Sequence, residues 1–110
     1  MEVSFSNKKI KEKIAEPRHC IKNYGLSMQK VIHRRMNELH AAPNLESVRG
    51  MGDCHELQGD MKGCFAIDLQ GPYRMIFKPN GKSETYIENK SIIWEKVVEV
   101  EILQIIDYHK

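Results

Sequence analysis

The first half of the chain has hydrophobic residues at intervals of three and four positions, the spacing that places side chains on one face of an α-helix. The clearest set consists of Met28, Val31, Ile32, Met36 and Leu39. We predict that a shorter helix precedes it, after a strand at residues 2–5. Pro17 should interrupt or kink that shorter helix, because proline lacks an N–H and clashes with the preceding turn, and its second piece should stop at Gly25. Ser6 and Ser27 are the predicted caps of the two helices.

In the second half, apolar and polar residues alternate, which is typical of strands. Residues 64–69 and residues 73–77 both show this pattern, and the Gly71-Pro72 pair between them indicates a tight turn, so we predict a hairpin. A last strand is expected from residue 97 to about residue 106, with a short strand at residues 85–87. This order predicts an α+β fold in two layers, with two N-terminal helices packed on a mostly antiparallel sheet of four to five strands.

Length and composition are those of one soluble domain spanning residues 1–110. Of the 110 residues, 41% are hydrophobic and 29% charged, and no apolar run approaches the roughly 20 residues that span a membrane. The N-terminal segment is charged where a signal peptide needs an apolar core. The three cysteines are odd in number and irregularly spaced, which favours a reducing compartment. We therefore expect a cytoplasmic protein with no membrane association.

Charge is distributed unevenly, although the net charge is only +2. Residues 1–50 contain ten Lys and Arg against five Asp and Glu, whereas residues 51–110 contain seven against ten. A basic first half could attract a phosphate backbone or an acidic partner. An ordinary solvated helix face explains the same pattern equally well, so charge alone does not decide between functions.

Titratable side chains occur at three places that could carry chemistry. His55 lies in a polar loop, where a plain surface histidine is the alternative interpretation. Arg74 interrupts an apolar strand and should have an anionic partner, either a structural carboxylate or a phosphate, because burying an unpaired guanidinium is costly. In an extended last strand, Asp107 and His109 would point to one face and Tyr108 to the other. An imidazole titrates near neutral pH, as proton transfer requires.

Two stretches of the sequence resemble the RelE/HigB-like toxins, the plasmid maintenance killer proteins. The stretches are HELQGDMKGCFAIDLQGPYRMIF and VEILQIIDYHK. They are similar to a family pattern of H-x-L-x-G-D-R-x-G, a strand and a turn, Y-R-[LI]-x-F, and V-E-I-x-x-I-x-D-Y-H, over roughly residues 53–109. Several motifs in the right order are more specific than any one of them. The resemblance implies a RelE-like, microbial-RNase-like fold and a ribosome-dependent endoribonuclease that needs no metal or other cofactor.

The resemblance also implies roles for individual residues, in a reaction where the ribose 2′-OH attacks the adjacent phosphorus and the 5′-oxygen leaves. His55 and His109 are the acid–base candidates, and Asp107 orients an imidazole or serves as the base. Arg74 holds the phosphate. Tyr108 stacks on a base or hydrogen-bonds the phosphate, with a core tyrosine as the alternative. Four further cations are candidates for RNA binding: Lys62, Lys78, Arg34 and Arg35.

The implied partners are messenger RNA, the ribosome and a cognate DNA-binding antitoxin of the HigA type, through which alone operator DNA would be contacted. Two positions depart from the family pattern: Met61 stands where arginine is common, and Gln58 where some members have a lysine with a proposed catalytic role. These losses leave open a degenerate toxin that only binds its antitoxin. A non-catalytic ParE-like toxin that binds DNA gyrase is the other alternative.

Zinc binding and cysteine chemistry are weaker interpretations. Cys54, His55, Cys64 and His109 include zinc-ligand types, but they lack C-x2-C or H-x3-H spacing, so we expect no metal site. Cys54 is adjacent to His55, and neighbouring residues in a strand point to opposite sides. We therefore interpret the cysteines as small buried residues rather than nucleophiles.

Overall fold

The computed structural model describes residues 1–108, in which three helices precede most of the strands. The helices are α1 Lys8–Ala15, α2 Pro17–Tyr24 and α3 Leu26–Ala41. The strands are, in chain order, β1 Glu2–Phe5, β2 His55–Glu56, β3 Phe65–Asp68, β4 Tyr73–Pro79, β5 Ile87–Glu88, β6 Ser91–Ile92 and β7 Glu99–Asp107. Short 3₁₀ turns occupy much of the chain between α3 and β7.

The N-terminal part folds into three helices, so the prediction of two is wrong. Pro17 does more than kink a helix: it is the first residue of α2, where its missing N–H would have no partner within the helix anyway. Gly25, at φ +89°, then separates α2 from α3. The predicted caps are also wrong. Asn7 rather than Ser6 caps α1, by accepting a backbone N–H three residues ahead at 2.9 Å, and α3 begins before Ser27.

The main sheet has the strand order β1-β7-β4-β3-β2. β1 runs parallel to β7, and the other neighbouring pairs are antiparallel, which confirms the α+β class with a mixed, mostly antiparallel sheet. The hairpin of β3 and β4 turns at Gly71-Pro72, as predicted. The strand predicted at residues 85–87 is misplaced. Residues 83–85 form a 3₁₀ turn, and β5 and β6 form a separate two-stranded sheet.

The core lies between the helices and one face of the sheet. The sheet contributes the fully buried residues Phe65, Ile67, Met75 and Phe77. The helices contribute a row of buried residues: Ile14, Cys20, Met28, Ile32 and Leu39. Phe65 stacks on Phe77, with ring centroids 5.8 Å apart, and meets Trp94 edge-on at 4.8 Å. Burying each large apolar side chain contributes about 1.5–3 kcal/mol, so this face of the sheet is held toward the helices.

Arg35 ties α3 to the sheet from inside the molecule. Its side chain is 15% exposed. Its Nε donates to the backbone carbonyl of Asp68 at 2.9 Å, and its Nη1 donates to Glu38 Oε1 at 2.8 Å. Gly52 packs so closely that a Cβ there would lie 2.9 Å from the guanidinium carbon. Arg35 therefore holds the end of β3 against α3 and against the loop that contains Gly52.

We expect Gly52→Ala to destabilise the protein by about 2–3 kcal/mol. Gly52 has φ +52°, and an added Cβ would meet both Arg35 and, at 3.0 Å, the side chain of Ile67. Gly71→Ala is the matched control, because Gly71 has φ +59° and nothing within 4 Å of the added Cβ. The control should lose only about 1 kcal/mol. Urea denaturation measures both, and equal losses would contradict the crowding around Arg35.

Candidate functional site

The face of the sheet opposite the core carries a group of polar side chains. Residues paired directly across neighbouring antiparallel strands share a face of the sheet. Asp68 pairs with Arg74, which pairs with Ile106, and His55 belongs to the adjacent row through its pairing with Ala66. We call this surface the polar face and define it by His55, Asp68, Arg74, Lys78, Gln104 and Tyr108.

Arg74 lies near one end of the polar face and is held from several directions. Its side chain is 24% exposed, and its Nε lies 2.7 Å from Oδ1 of Asp68. Its Nη1 donates to the carbonyl oxygens of Gly71 at 3.0 Å and Tyr73 at 2.9 Å. Nη2 makes no hydrogen bond with residues 1–108. Of the two partners predicted for this arginine, a carboxylate or a phosphate, the described residues supply the carboxylate, and they leave Nη2 unpaired.

Asp68 is the site residue that sequence analysis missed. The contact between its Oδ1 and Arg74 Nε is an ion pair by distance, but the N–H is not aimed at the oxygen. Oδ1 is buried and accepts no hydrogen bond from the described residues. Its place could have been predicted from the hairpin, because a turn at Gly71-Pro72 puts Asp68 opposite Arg74.

Tyr108 lies beside Arg74 and is not a core residue. Its ring centroid is 5.7 Å from the guanidinium carbon of Arg74, and it is 40% exposed. Its backbone N–H donates to the Pro72 carbonyl at 2.8 Å. Asp107 pairs with Tyr73, which places it on the face opposite that of Arg74. His109 lies outside the described residues, so its predicted place in the site stays a prediction.

His55 stands two strands away from Arg74 on the polar face. Strand spacing and rise per residue put their Cα atoms about 12 Å apart. The His55 side chain is 49% exposed, and its Nδ1 lies 2.6 Å from the Asp53 carbonyl oxygen. A carbonyl can only accept, so Nδ1 carries the proton in this contact. In the neutral ring Nε2 is then the unprotonated nitrogen and can accept a proton.

The four cations predicted to bind RNA occupy different environments. Lys78 lies on the polar face, with its Nζ 4.0 Å from Glu101 Oε2. Lys62 is exposed directly after a 3₁₀ turn, and Arg34 is exposed on α3. The Arg35 guanidinium is instead engaged inside the molecule. The polar face therefore brings together His55, Arg74, Tyr108 and Lys78, whereas Arg34 is a helix-surface residue.

The described residues contain no group of three or more His, Cys, Asp or Glu side chains arranged to hold a metal ion. Burial raises the pKa of Cys54 to about 12 and also raises the pKa of Cys20. A thiol with such a pKa is almost entirely protonated at neutral pH, which agrees with the interpretation of Cys54 as a packing residue. Cys64 is half-buried. Within residues 1–108, no helix is long and apolar enough to cross a membrane.

Solved structures share the fold over the whole chain. The YoeB/ParE toxin from Agrobacterium tumefaciens matches over 100% of both chains, with a TM-score of 0.60 and 14% identity. The YoeB-YefM complex from Staphylococcus aureus matches with a TM-score of 0.58 and 13% identity, and the YoeB dimer from the same organism with 0.55 and 14%; each covers 100% of this chain and 98% of the other. This chain has the YoeB/ParE-like fold. No family model and no curated protein matches the sequence.

An identity of 13–14% establishes a common fold and leaves activity to be argued from the site. The fold agrees with the two-layer α+β architecture expected from the sequence. The narrower RelE/HigB assignment and the roles of the individual site residues stay predictions.

Alkylation of the native protein should separate the cysteines by burial. We expect iodoacetamide at pH 7.5 to label Cys64 at least about tenfold faster than Cys54 or Cys20, because only an accessible thiolate reacts. Raising the pH to 9 should leave Cys54 slow, since its pKa is about 12. Peptide mass spectrometry with the urea-unfolded protein as the control measures the rates. Rapid labelling of native Cys54 would contradict its role as a packing residue.

Proposed function

We propose that this protein is the toxin of a type II toxin–antitoxin system and that it cleaves messenger RNA on the ribosome. The single observation that carries the proposal is the polar face. There, an arginine with one nitrogen left unpaired by residues 1–108, an exposed tyrosine and an oriented histidine occupy one side of the sheet. These residues belong to the motifs that resemble the RelE/HigB-like toxins.

The proposed reaction needs few groups from the protein. The ribose 2′-OH loses its proton to a base and attacks the adjacent phosphorus. The bond to the 5′-oxygen breaks as that oxygen takes a proton from an acid, leaving a 2′,3′-cyclic phosphate. Negative charge grows on the phosphoryl oxygens during attack, and the free Nη2 of Arg74 is suited to stabilise it. DNA lacks the 2′-OH and would not be cut.

The contact of His55 supports a division of labour between the two histidines. With Nδ1 donating to the Asp53 carbonyl, the neutral His55 ring presents Nε2 as a proton acceptor. We therefore assign the base to His55 and the acid to His109. Because Asp107 lies on the face opposite Arg74, its proposed role is confined to orienting the His109 ring, without contact with the substrate. The base His55 lies on β2 and the phosphate-binding Arg74 lies on β4, and the register of the sheet fixes their separation. A fixed separation holds the nucleotide in position for in-line attack.

RNA recognition in this proposal combines stacking with phosphate contacts. The exposed ring of Tyr108 offers a surface for an unpaired base. Lys78 lies on the same face, and Lys62 and Arg34 are exposed cations that can reach a phosphate backbone. Gln58 and Met61 supply no charge, so we expect a lower rate than in toxins with cations at both positions.

Two other functions are compatible with the fold. A ParE-like toxin would bind DNA gyrase without catalysis, and a degenerate toxin would only bind its antitoxin. The terminal Asp-Tyr-His and the histidine at position 55 favour cleavage, because cleavage requires an acid and a base and a purely binding toxin requires neither.

We propose a cognate DNA-binding antitoxin of the HigA type as the partner, and the cytoplasm as the site of action. One solved structure with this fold is a complex of YoeB with YefM, which supports a protein partner for this chain. Operator DNA would be contacted only through that partner.

Expression of histidine variants in cells tests the cleavage proposal. Wild-type protein should arrest growth and create new 5′ ends within reading frames, measured by primer extension on cellular transcripts. His55→Ala, His109→Ala and Arg74→Ala should each reduce cleavage by about 10²–10⁴-fold, because each removes a group that acts in the transition state. His19→Ala is the matched control, since His19 is exposed on α2, away from the sheet.

The outcomes separate the three functions. Growth arrest that persists in both histidine variants, without new 5′ ends, would favour the gyrase-binding alternative. A wild-type protein that causes no arrest but still binds its partner would favour the degenerate toxin.

Charge reversal on α3 tests the idea that the basic half receives acidic antitoxin segments. Arg34→Glu should weaken binding to the product of the neighbouring reading frame by about threefold or more at low salt, with the difference shrinking at high salt. Lys82→Glu, an exposed change in the acidic half, should have no effect. Arg35→Glu should instead destabilise the fold. Calorimetric affinities that are equal for Arg34→Glu and wild type would remove the idea.

A further inference from the structure

Asp68 occupies a position between two arginines. Its backbone carbonyl accepts the Nε–H of Arg35 at 2.9 Å, and its carboxylate lies 2.7 Å from the Nε of Arg74. Arg35 comes from helix α3, so the backbone of Asp68 is fastened to the helical layer on one side of the sheet. The carboxylate faces the other side, toward Arg74.

Within residues 1–108, the carboxylate of Asp68 forms its ion pair with Arg74. Its Oδ1 is buried and accepts no hydrogen bond from residues 1–108, although buried polar oxygens are usually hydrogen-bonded. An unsatisfied carboxylate oxygen is costly in a structural ion pair. We attribute its retention here to the guanidinium of Arg74, whose Nε lies 2.7 Å away.

The orientation of Arg74 follows from these contacts. Asp68 meets the guanidinium at Nε, and the Gly71 and Tyr73 carbonyls hold Nη1. Two of the three nitrogens are therefore in contact with the protein, and Nη2 is the one that no group within residues 1–108 occupies. The ring of Tyr108 lies 5.7 Å from the guanidinium carbon, which limits movement of the group on that side.

We propose that Asp68 is a positioning residue of the ribonuclease site, which sets the guanidinium of Arg74 so that Nη2 meets the scissile phosphate. This inference rests on the proposed function and deepens it. Asp68 touches neither substrate nor reacting atoms. It acts through Arg74 alone.

The charge and the geometry of Asp68 have opposite effects on catalysis. Its negative charge weakens the attraction between Arg74 and a phosphate in the ground state. Its contact removes rotational freedom from a long side chain, which favours the transition state. Asp68→Asn should therefore lower kcat by about tenfold without raising KM. A loss of folded protein would lower the amount of active enzyme and leave the kcat per folded molecule unchanged.

Cleavage of messenger RNA on programmed ribosomes measures kcat and KM separately. Glu46→Gln is the matched control: it removes the carboxylate from another arginine Nε contact of 2.7 Å, that with Arg49, and should leave both constants unchanged. In an Arg74→Ala background, Asp68→Asn should cost less than about twofold, because the residue it positions is gone. A full tenfold loss in that background, or a wild-type kcat for Asp68→Asn, would overturn the inference.

A second measurement does not depend on cleavage. Nitrogen-15 relaxation of the Arg74 side-chain Nε should report a rigid group in the wild type and a mobile one in Asp68→Asn, with Arg49 in Glu46→Gln as the comparison. An Arg74 Nε that is equally rigid in both proteins overturns the positioning role even if the enzyme is active. Absence of cleavage by the wild type, together with a mobile Arg74 in the variant, would overturn only the proposed function. Asp68→Ser serves for the same measurements if Asp68→Asn does not fold.

Discussion

Strand β4 hydrogen-bonds to β3 on one side and to β7 on the other, and the candidate site depends on the register of those two pairings. A shift of one residue in either pairing would turn the side chains of a strand to opposite faces. The buried rings of Phe65 and Phe77 prevent such a shift, because they must face the helices. The same packing directs Arg74 away from the core.

The cost of placing a guanidinium in an apolar strand is offset locally. The carboxylate of Asp68, two turn carbonyls and the ring of Tyr108 surround Arg74 without enclosing it. An arginine that was fully paired could not bind an anion, and one with no partner would not hold a single orientation. The partial satisfaction of Arg74 is therefore the property that makes this end of the polar face a candidate for catalysis.

The fold and the site contribute differently to the functional conclusion. Solved structures at 13–14% identity establish the YoeB/ParE-like fold, but folds of this kind do not fix an activity. The proposed RNA cleavage rests on the motifs around His55 and Arg74, and the register of the sheet explains how residues so far apart in the chain share one surface. The proposed activity is therefore argued from these residues, and the fold explains only how they are held in place.

Local patterns in the sequence determined the class of the fold. The alternation around Phe65 and Phe77 with the Gly71-Pro72 turn is a property of neighbouring residues, so the hairpin and the buried face were predictable. The position of Arg74 within that strand could also be read from its neighbours in sequence. Its need for an anionic partner followed from the apolar residues around it. Pro17 showed that a helix was disturbed. It could not show whether the helix would bend or end, because both are compatible with proline near a helix start.

Tertiary structure decided what depends on residues distant in the chain. Arg35 looked like a solvent-facing cation, yet it binds the carbonyl of Asp68, 33 positions away. The caps of α1 and α3 differ from the predicted residues because several residue types can begin a helix and packing selects one of them. The separation of Asp107 from Arg74 on opposite faces follows from the register of β4 against β7. A sequence pattern specifies which face each residue of one strand takes, but only packing between strands and helices specifies which faces coincide.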